Sequence, residues 1–125
     1  MKKHGVIGWK LEAGQRQELL QQFPPRYDNI VADHVTLRVG VDADTPLPGT
    51  AVGELIGRAD DGQGVEAMVV RIDGSTDRPD GGTYHITWSL GAGRRAKESN
   101  EVIAAQGWRD VDLPMPLMLE PGRIR

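Results

Sequence analysis

Two similar stretches organise this sequence: HVTLRVG at 34–40 and HITWSLG at 85–91. Each has the order His, β-branched residue, Thr, apolar residue, any residue, apolar residue, Gly. Alternate side chains of a strand point to opposite faces, so each stretch predicts a strand with an apolar and a polar face. The apolar faces, which we expect in the core, carry Val35, Leu37 and Val39, and Ile86, Trp88 and Leu90. The polar faces carry His34, Thr36 and Arg38, and His85, Thr87 and Ser89.

The rest of the chain predicts a strand at 5–11 and a helix from about Gly14 to Phe23 that ends at two prolines. Further predicted elements are a hairpin around DDGQG at 60–64, and a helix at 98–106 with Ser99 as N-cap and Gly107 as stop. WRDVDL at 108–113 suggests another strand. The proline-containing tail, 113–125, predicts an edge strand or an extended arm. The order β, α, β, β, β, β, α, β indicates an α+β fold with two βαβ-like halves, each holding one repeat.

Composition limits the class of protein. A chain of 125 residues suits one domain spanning 1–125. Its net charge of −3 argues against nonspecific coating of nucleic acid but permits a small anionic ligand. The absence of cysteine excludes disulfides, thiolate nucleophiles and cysteine metal sites. The opening segment is too short and too interrupted by glycine for a secretion signal, and no stretch is apolar enough to span a membrane. We therefore expect a soluble, cytoplasmic protein.

The paired polar faces suggest phosphate ester chemistry. An imidazole has an unperturbed pKa of about 6.5, so one histidine can accept a proton while the other donates one. Two threonine hydroxyls can hold the non-bridging oxygens of a phosphate between them, and no metal or cofactor is needed. Each acid or base contributes roughly 10²- to 10⁴-fold, which suits a strained cyclic phosphodiester better than a linear monoester. The third histidine, His4, has no Thr two residues later and is expected at the surface or a sheet edge.

The paired His-x-Thr motifs resemble the 2H phosphoesterase superfamily, which includes bacterial 2′-5′ RNA ligase-like proteins and the cyclic phosphodiesterase domains of tRNA ligases. GVIGWKL, FPPRY and AKESN strengthen the resemblance, which covers roughly residues 5–110. It implies a bilobal fold with two antiparallel-rich sheets, a central cleft and two main helices. It also implies that His34 and His85 are catalytic and that Thr36 and Thr87 bind phosphate. In that family one histidine activates water and the other protonates the leaving ribose oxygen, commonly opening a 2′,3′-cyclic phosphate to a 2′-phosphate.

Five further side chains are candidate phosphate contacts: Arg38, Ser89, Arg94, Arg95 and Lys97. The last three lie in a glycine-containing loop before a predicted helix N-terminus, a position suited to anions. An ion pair for Arg38 and a solvated basic loop are the alternatives.

Two neighbours of the histidines are expected to take no part in the site. Asp33 adjoins His34, but adjacent strand residues face opposite ways, so it is not expected to orient that imidazole. Tyr84 is expected to face the core.

These observations favour a metal-independent phosphodiesterase acting on RNA ends with 2′,3′-cyclic phosphate or on related cyclic nucleotides, as in RNA repair or processing. Alternatives are a phosphodiesterase for cyclic oligonucleotide signals, a noncatalytic RNA-end binding domain, and a structural partner domain. The expected partners are RNA ends or small cyclic nucleotides, with no membrane. Intact His and Thr in both copies favour catalysis, since a binding protein has little use for two proton-transfer groups.

Overall fold

A computed structural model describes residues 4–124. These residues form seven strands and two helices: β1 (Gly5–Leu11), α1 (Ala13–Gln22), β2 (Asn29–Ile30), β3 (His34–Val41), β4 (Ala51–Asp60), β5 (Val65–Ile72), β6 (His85–Leu90), α2 (Glu98–Gln106) and β7 (Arg109–Ile124). Residues 1–3 and residue 125 lie outside the described residues. The first three belong to the opening segment, in which no secretion signal was expected, and residue 125 is the last of the predicted tail. No helix within 4–124 is long and apolar enough to cross a membrane.

The strands pair antiparallel in one sheet with the order β2-β6-β5-β4-β7-β1-β3. The predicted α+β class and the two helices are confirmed. The expectation of two sheets is wrong, because β7 pairs with β4 on one side and with β1 on the other. This strand joins the two halves of the chain into a continuous sheet.

The prediction of an edge strand or arm for 113–125 is also wrong, since β7 lies inside the sheet. Its prolines fit there because most residues of β7 pair with only one of the two neighbouring strands. Pro116 pairs only with β4 and Pro121 only with β1, while Leu119 pairs with both. Each proline therefore sits where one side of the strand lacks a ladder, as a strand proline requires. Gln15 of α1 covers part of the open side, donating to the Pro116 carbonyl at 2.8 Å and accepting from the Met118 amide at 2.9 Å.

The two helices begin and end close to the predicted positions. The Glu12 side chain caps α1 by accepting from the amides of Gly14 and Gln15. Gly107 ends α2 with a φ of 70°, as expected. Ser99 is not the N-cap of α2, which begins after Lys97. Ser99 instead lies in the first turn, fully buried.

Each helix covers a separate part of the core. The main cluster packs Leu19 of α1 with side chains from most of the strands, including Trp9, Val35, Leu55, Met68, Ile86, Trp88 and Leu117. A smaller cluster packs Ile103 of α2 on Ala59, Ala67 and Val69. Tyr84 is buried and meets Trp9 edge-to-face, which confirms its predicted core position.

Candidate functional site

The segment from β2 to β3 brings the two repeats together. After β2, the amides of Val31 and Ala32 continue along β6 by donating to the carbonyls of Trp88 and Thr87, each at 2.9 Å. Ala32 then adopts a φ of 41°, which is uncommon for a residue other than glycine. The chain turns there, and from His34 onward it pairs with β1. One segment thus connects the two edges of the sheet and places the first repeat beside the second.

A pocket of about 370 Å³ forms at this junction. It is lined by all four residues of the predicted catalytic and phosphate-binding set, together with seven others: His34, Thr36, His85 and Thr87, and Val6, Val39, Arg78, Ala96, Lys97, Asn100 and Ile124. The volume is in the range of small-molecule sites in proteins. The structure therefore places the four motif side chains around one cavity.

His85 is held in one tautomer. Its Nδ1 lies 2.7 Å from the Thr83 carbonyl oxygen, which can only accept, so Nδ1 carries the hydrogen. Nε2 of the neutral ring is then a free proton acceptor. Burial lowers the pKa of His85 below its usual 6.5, and the nearby Arg78 and His34 lower it further, against the opposing effect of the Thr83 carbonyl. These effects favour the neutral, basic form.

His34 has a different partner. Its Nδ1 lies 3.1 Å from Oδ2 of Asp33, so the expectation that Asp33 would not orient this ring is wrong. The physical reason is that Asp33 precedes the first residue of β3 and follows the turn at Ala32, where strand alternation does not yet apply. The carboxylate accepts from Nδ1, and this contact orients the ring and leaves Nε2 as the nitrogen available for proton transfer.

The two threonines differ in their support. Thr36 is half-buried on β3. Thr87 is buried, and its Oγ1 lies 2.9 Å from Oγ of Ser99 and 3.4 Å from the Ala96 carbonyl oxygen. The first turn of α2 thus fixes the hydroxyl of the second motif, and this contact explains why Ser99 is buried.

Of the five additional candidates, Lys97 alone lines this pocket. Arg38 lies at a separate recess with Leu37, because β3 has a bulge. Ile7 pairs with Arg38 and Gly8 with Thr36, which leaves Leu37 as an extra residue and turns Arg38 away from Thr36. The same bulge turns Val39, expected in the core, to the pocket, where it is 57% exposed.

Ser89 also points away from the pocket, for the same kind of reason. Glu66 pairs with Ser89 and Ala67 with Thr87, so Trp88 is an extra residue and Ser89 turns to the opposite face. Its Oγ donates to Oε1 of the buried Glu66 at 2.7 Å. Ser89 belongs to a buried polar network and not to the pocket.

The two arginines of the predicted anion loop lie elsewhere as well. Arg94 forms ion pairs with Asp61 and Glu98, and it also donates to the Gln63 carbonyl at 2.6 Å. It lines a different cavity. Arg95 is exposed and lines neither the pocket of the four motif residues nor the cavity beside Arg94, so it fits the alternative of a solvated basic loop.

Two polar residues of the pocket were not predicted from the sequence. Arg78, from the loop before β6, is largely buried and bidentate with Asp80 at 2.9 and 2.7 Å. Asn100 of α2 accepts from the Thr83 amide at 3.1 Å, which ties the helix to the backbone beside His85. Asn100 lies in the AKESN stretch, whereas nothing in the periodicity of the sequence marks Arg78. Together with Lys97, Arg78 gives the pocket two cationic side chains.

His4, expected at the surface, is exposed. Within 4–124, no three His, Cys, Asp or Glu side chains come together as a metal site would require. A larger recess of about 720 Å³ lies elsewhere and is lined by neither histidine of the pair. Comparison with protein-family models, curated proteins and solved structures found no match to this chain.

Proposed function

We propose that this protein is a metal-independent phosphodiesterase that opens 2′,3′-cyclic phosphates, at RNA ends or on nucleotides, by acid-base catalysis between His34 and His85. The observation that carries the proposal is the single pocket lined by both histidines and both motif threonines. The resemblance of the paired motifs to the 2H phosphoesterases supports the same chemistry.

His85 is the general base in this proposal. Its Nδ1 hydrogen is engaged by the Thr83 carbonyl, and its lowered pKa keeps Nε2 unprotonated near neutral pH. His34 is the general acid, and the contact of its Nδ1 with Oδ2 of Asp33 at 3.1 Å orients the ring for proton transfer from Nε2. Acid-base catalysis of this kind requires the two rings to enter the reaction in opposite protonation states.

The reaction proceeds by one displacement at phosphorus. Nε2 of His85 takes a proton from water as the water oxygen forms a bond to phosphorus. The bond from phosphorus to one ribose oxygen breaks, and Nε2 of His34 gives that oxygen its proton. The product is a ribose phosphomonoester with one free hydroxyl, and each histidine ends in the protonation state in which the other began. Proton exchange with water then restores the starting protonation state of each histidine.

The pocket side chains neutralise the developing charge. Thr36 and Thr87 donate to the non-bridging phosphate oxygens. When substrate binds, the Thr87 hydrogen leaves its 3.4 Å contact with the Ala96 carbonyl, and the Ser99 hydroxyl, 2.9 Å away, donates to Oγ1 of Thr87. Lys97 supplies positive charge at the same pocket, and Arg78, which is paired with Asp80, adds its remaining N–H donors. Donors fixed before the reaction need no reorganisation when the charge appears.

Steady-state hydrolysis of a 2′,3′-cyclic nucleotide and of a cyclic-phosphate RNA end, both with a chelator present, tests the proposal. His34→Ala and His85→Ala should each lower kcat by at least about 100-fold. His4→Ala is the matched control, since His4 is exposed and outside the pocket, and it should retain full activity. Thermal unfolding of each variant separates loss of chemistry from loss of fold.

Three outcomes would contradict this function. The first is no turnover of any cyclic phosphate by the unaltered protein. The second is turnover that the chelator abolishes, which would make the reaction metal-dependent. The third is near-normal turnover in both histidine variants.

A further inference from the structure

The recess of about 720 Å³ lies at the C-terminal end of α2, where β7 separates from β4. Its lining combines two aromatic rings, those of Phe23 and Trp108, with three arginines and three aspartates. Four of its lining residues lie where β4 pairs with the start of β7: Arg58, Trp108, Arg109 and Asp110. Gly57 precedes Arg58 on β4. None of these five residues contributes to the histidine pocket.

Trp108 presents an accessible aromatic ring whose position is fixed by its neighbours. It is 37% exposed, whereas Trp9 and Trp88 are buried. A Cβ atom at Gly57 would lie 2.2 Å from Cδ1 of Trp108, so the indole packs directly on the glycine backbone. Its Nε1 donates to Oδ1 of Asp110 at 3.2 Å. An accessible ring that is fixed on one side by backbone is suited to stacking against a planar ligand.

Two arginines face each other next to this ring. Arg58 and Arg109 are register partners across β4 and β7, an arrangement that is destabilising for like charges. Arg58 is neutralised by the buried Glu66, to which its Nε donates at 2.6 Å. Arg109 forms no ion pair among the described residues, and neither do Asp110 and Asp112 of the same lining. One open cation and two carboxylates beside an accessible ring point to a planar ligand that carries both an anionic group and hydrogen-bond donors, as a nucleotide does.

Helix α2 connects this recess to the histidine pocket. Lys97 and Asn100, at its N-terminal end, line the pocket, while Gln106 and Gly107, at its C-terminal end, line the recess. The helix has nine residues and spans about 13 Å at about 1.5 Å per residue. A short oligonucleotide can reach from one site to the other.

We propose that the recess binds a nucleotide of a single-stranded RNA whose end is in the histidine pocket, with the base stacked on Trp108 and a phosphodiester at Arg109. The role of RNA rests on the proposed function. Oδ2 of Asp110 accepts from an exocyclic amino group of the base, since Oδ1 is taken by the indole. The recess would thus select oligonucleotides over mononucleotides.

Tryptophan fluorescence tests the recess directly, because Trp108 is the accessible tryptophan of the three. The probe is a single-stranded RNA tetranucleotide with a 3′-hydroxyl, which presents no cyclic phosphate to cleave. We expect saturable quenching, and affinity about 5- to 150-fold weaker in Trp108→Leu, followed there by anisotropy of a labelled probe. Arg109→Ala should weaken binding as well. Arg95→Ala removes an exposed arginine that lines neither site and should bind as the unaltered protein does.

A kinetic comparison separates this proposal from the proposed function. Trp108→Leu should lower kcat/KM for a cyclic-phosphate tetranucleotide by the factor seen in binding and leave a 2′,3′-cyclic mononucleotide unaffected. Absence of turnover on both substrates would refute the phosphodiesterase, while the fluorescence titration would still decide the recess. No quenching by the tetranucleotide, or affinity unchanged in both Trp108→Leu and the stably folded Arg109→Ala, would overturn the proposal.

Discussion

Replacing Gly8 with alanine should displace β3, the strand that carries His34 and Thr36, and so lower both stability and activity. Gly8 is the register partner of Thr36, next to the β3 bulge. A Cβ atom at Gly8 would lie 2.1 Å from the Val35 carbonyl oxygen and 3.0 Å from the Leu37 amide nitrogen. Both contacts are to backbone, so no side-chain rotation can relieve them.

The size of the expected destabilisation follows from the steric overlap between the added Cβ and the Val35 carbonyl oxygen. Ordinary contact with a Cβ begins at 3.4 Å and the distance here is 2.1 Å, so β1 and β3 would have to separate by roughly 1.3 Å. Overpacking of this kind costs about 3 kcal/mol, a large part of the roughly 5–15 kcal/mol that stabilises a domain. A displacement of about 1 Å at a catalytic group can lower the rate about 100-fold. We therefore expect a folded, less stable and nearly inactive protein.

Gly122 provides the matched control. It pairs with Gly8 on the other side of β1, yet a Cβ atom there would meet nothing within 4 Å. Gly122→Ala should change stability by less than about 1 kcal/mol and keep full activity. Urea unfolding and hydrolysis of a 2′,3′-cyclic nucleotide measure both quantities. If Gly8→Ala matched Gly122→Ala in stability and rate, the inferred fit of β3 against β1 would be refuted.

Three other predictions concern the pocket. Ser99→Ala removes the partner of Thr87 and should lower kcat/KM about 5- to 10-fold, from a lost hydrogen bond of about 1 kcal/mol; an unchanged value would show that Thr87 needs no support. Asp33→Asn replaces the carboxylate that orients the His34 ring and should lower kcat up to about 5-fold with KM little changed, because the contact is partly exposed. The acid limb of kcat/KM against pH should lie below 6.5, because burial lowers the pKa of His85 and the base stays neutral until the pH falls below that value. A limb above 6.5 would contradict His85 as the base, although the apparent value describes the pair.

Local patterns predicted most elements of this fold, since alternation, helical spacing and the breakers at Pro24, Pro25 and Gly107 act over a few residues. They did not predict the interior position of β7. A proline is excluded from a central strand only where both sides are paired, and sequence does not show which sides are open.

One pocket holds all four motif residues, and their catalytic and phosphate-binding roles stay a prediction. The errors for Arg38 and Ser89 have one cause, because a bulge of a single residue reverses the alternation and leaves no periodic signal. The two repeats meet because the chain turns at Ala32. This turn requires a positive φ, which an alanine in the sequence does not predict.

Phosphorus-31 NMR of a 2′,3′-cyclic nucleotide incubated with the unaltered protein and a chelator tests the central claim most directly. The resonance of the strained cyclic diester should give way to that of a ribose phosphomonoester, and this conversion should stop in His34→Ala and in His85→Ala. Persistence of the cyclic resonance with the unaltered protein, or its loss at the same rate in both variants, would contradict acid-base catalysis by the paired histidines.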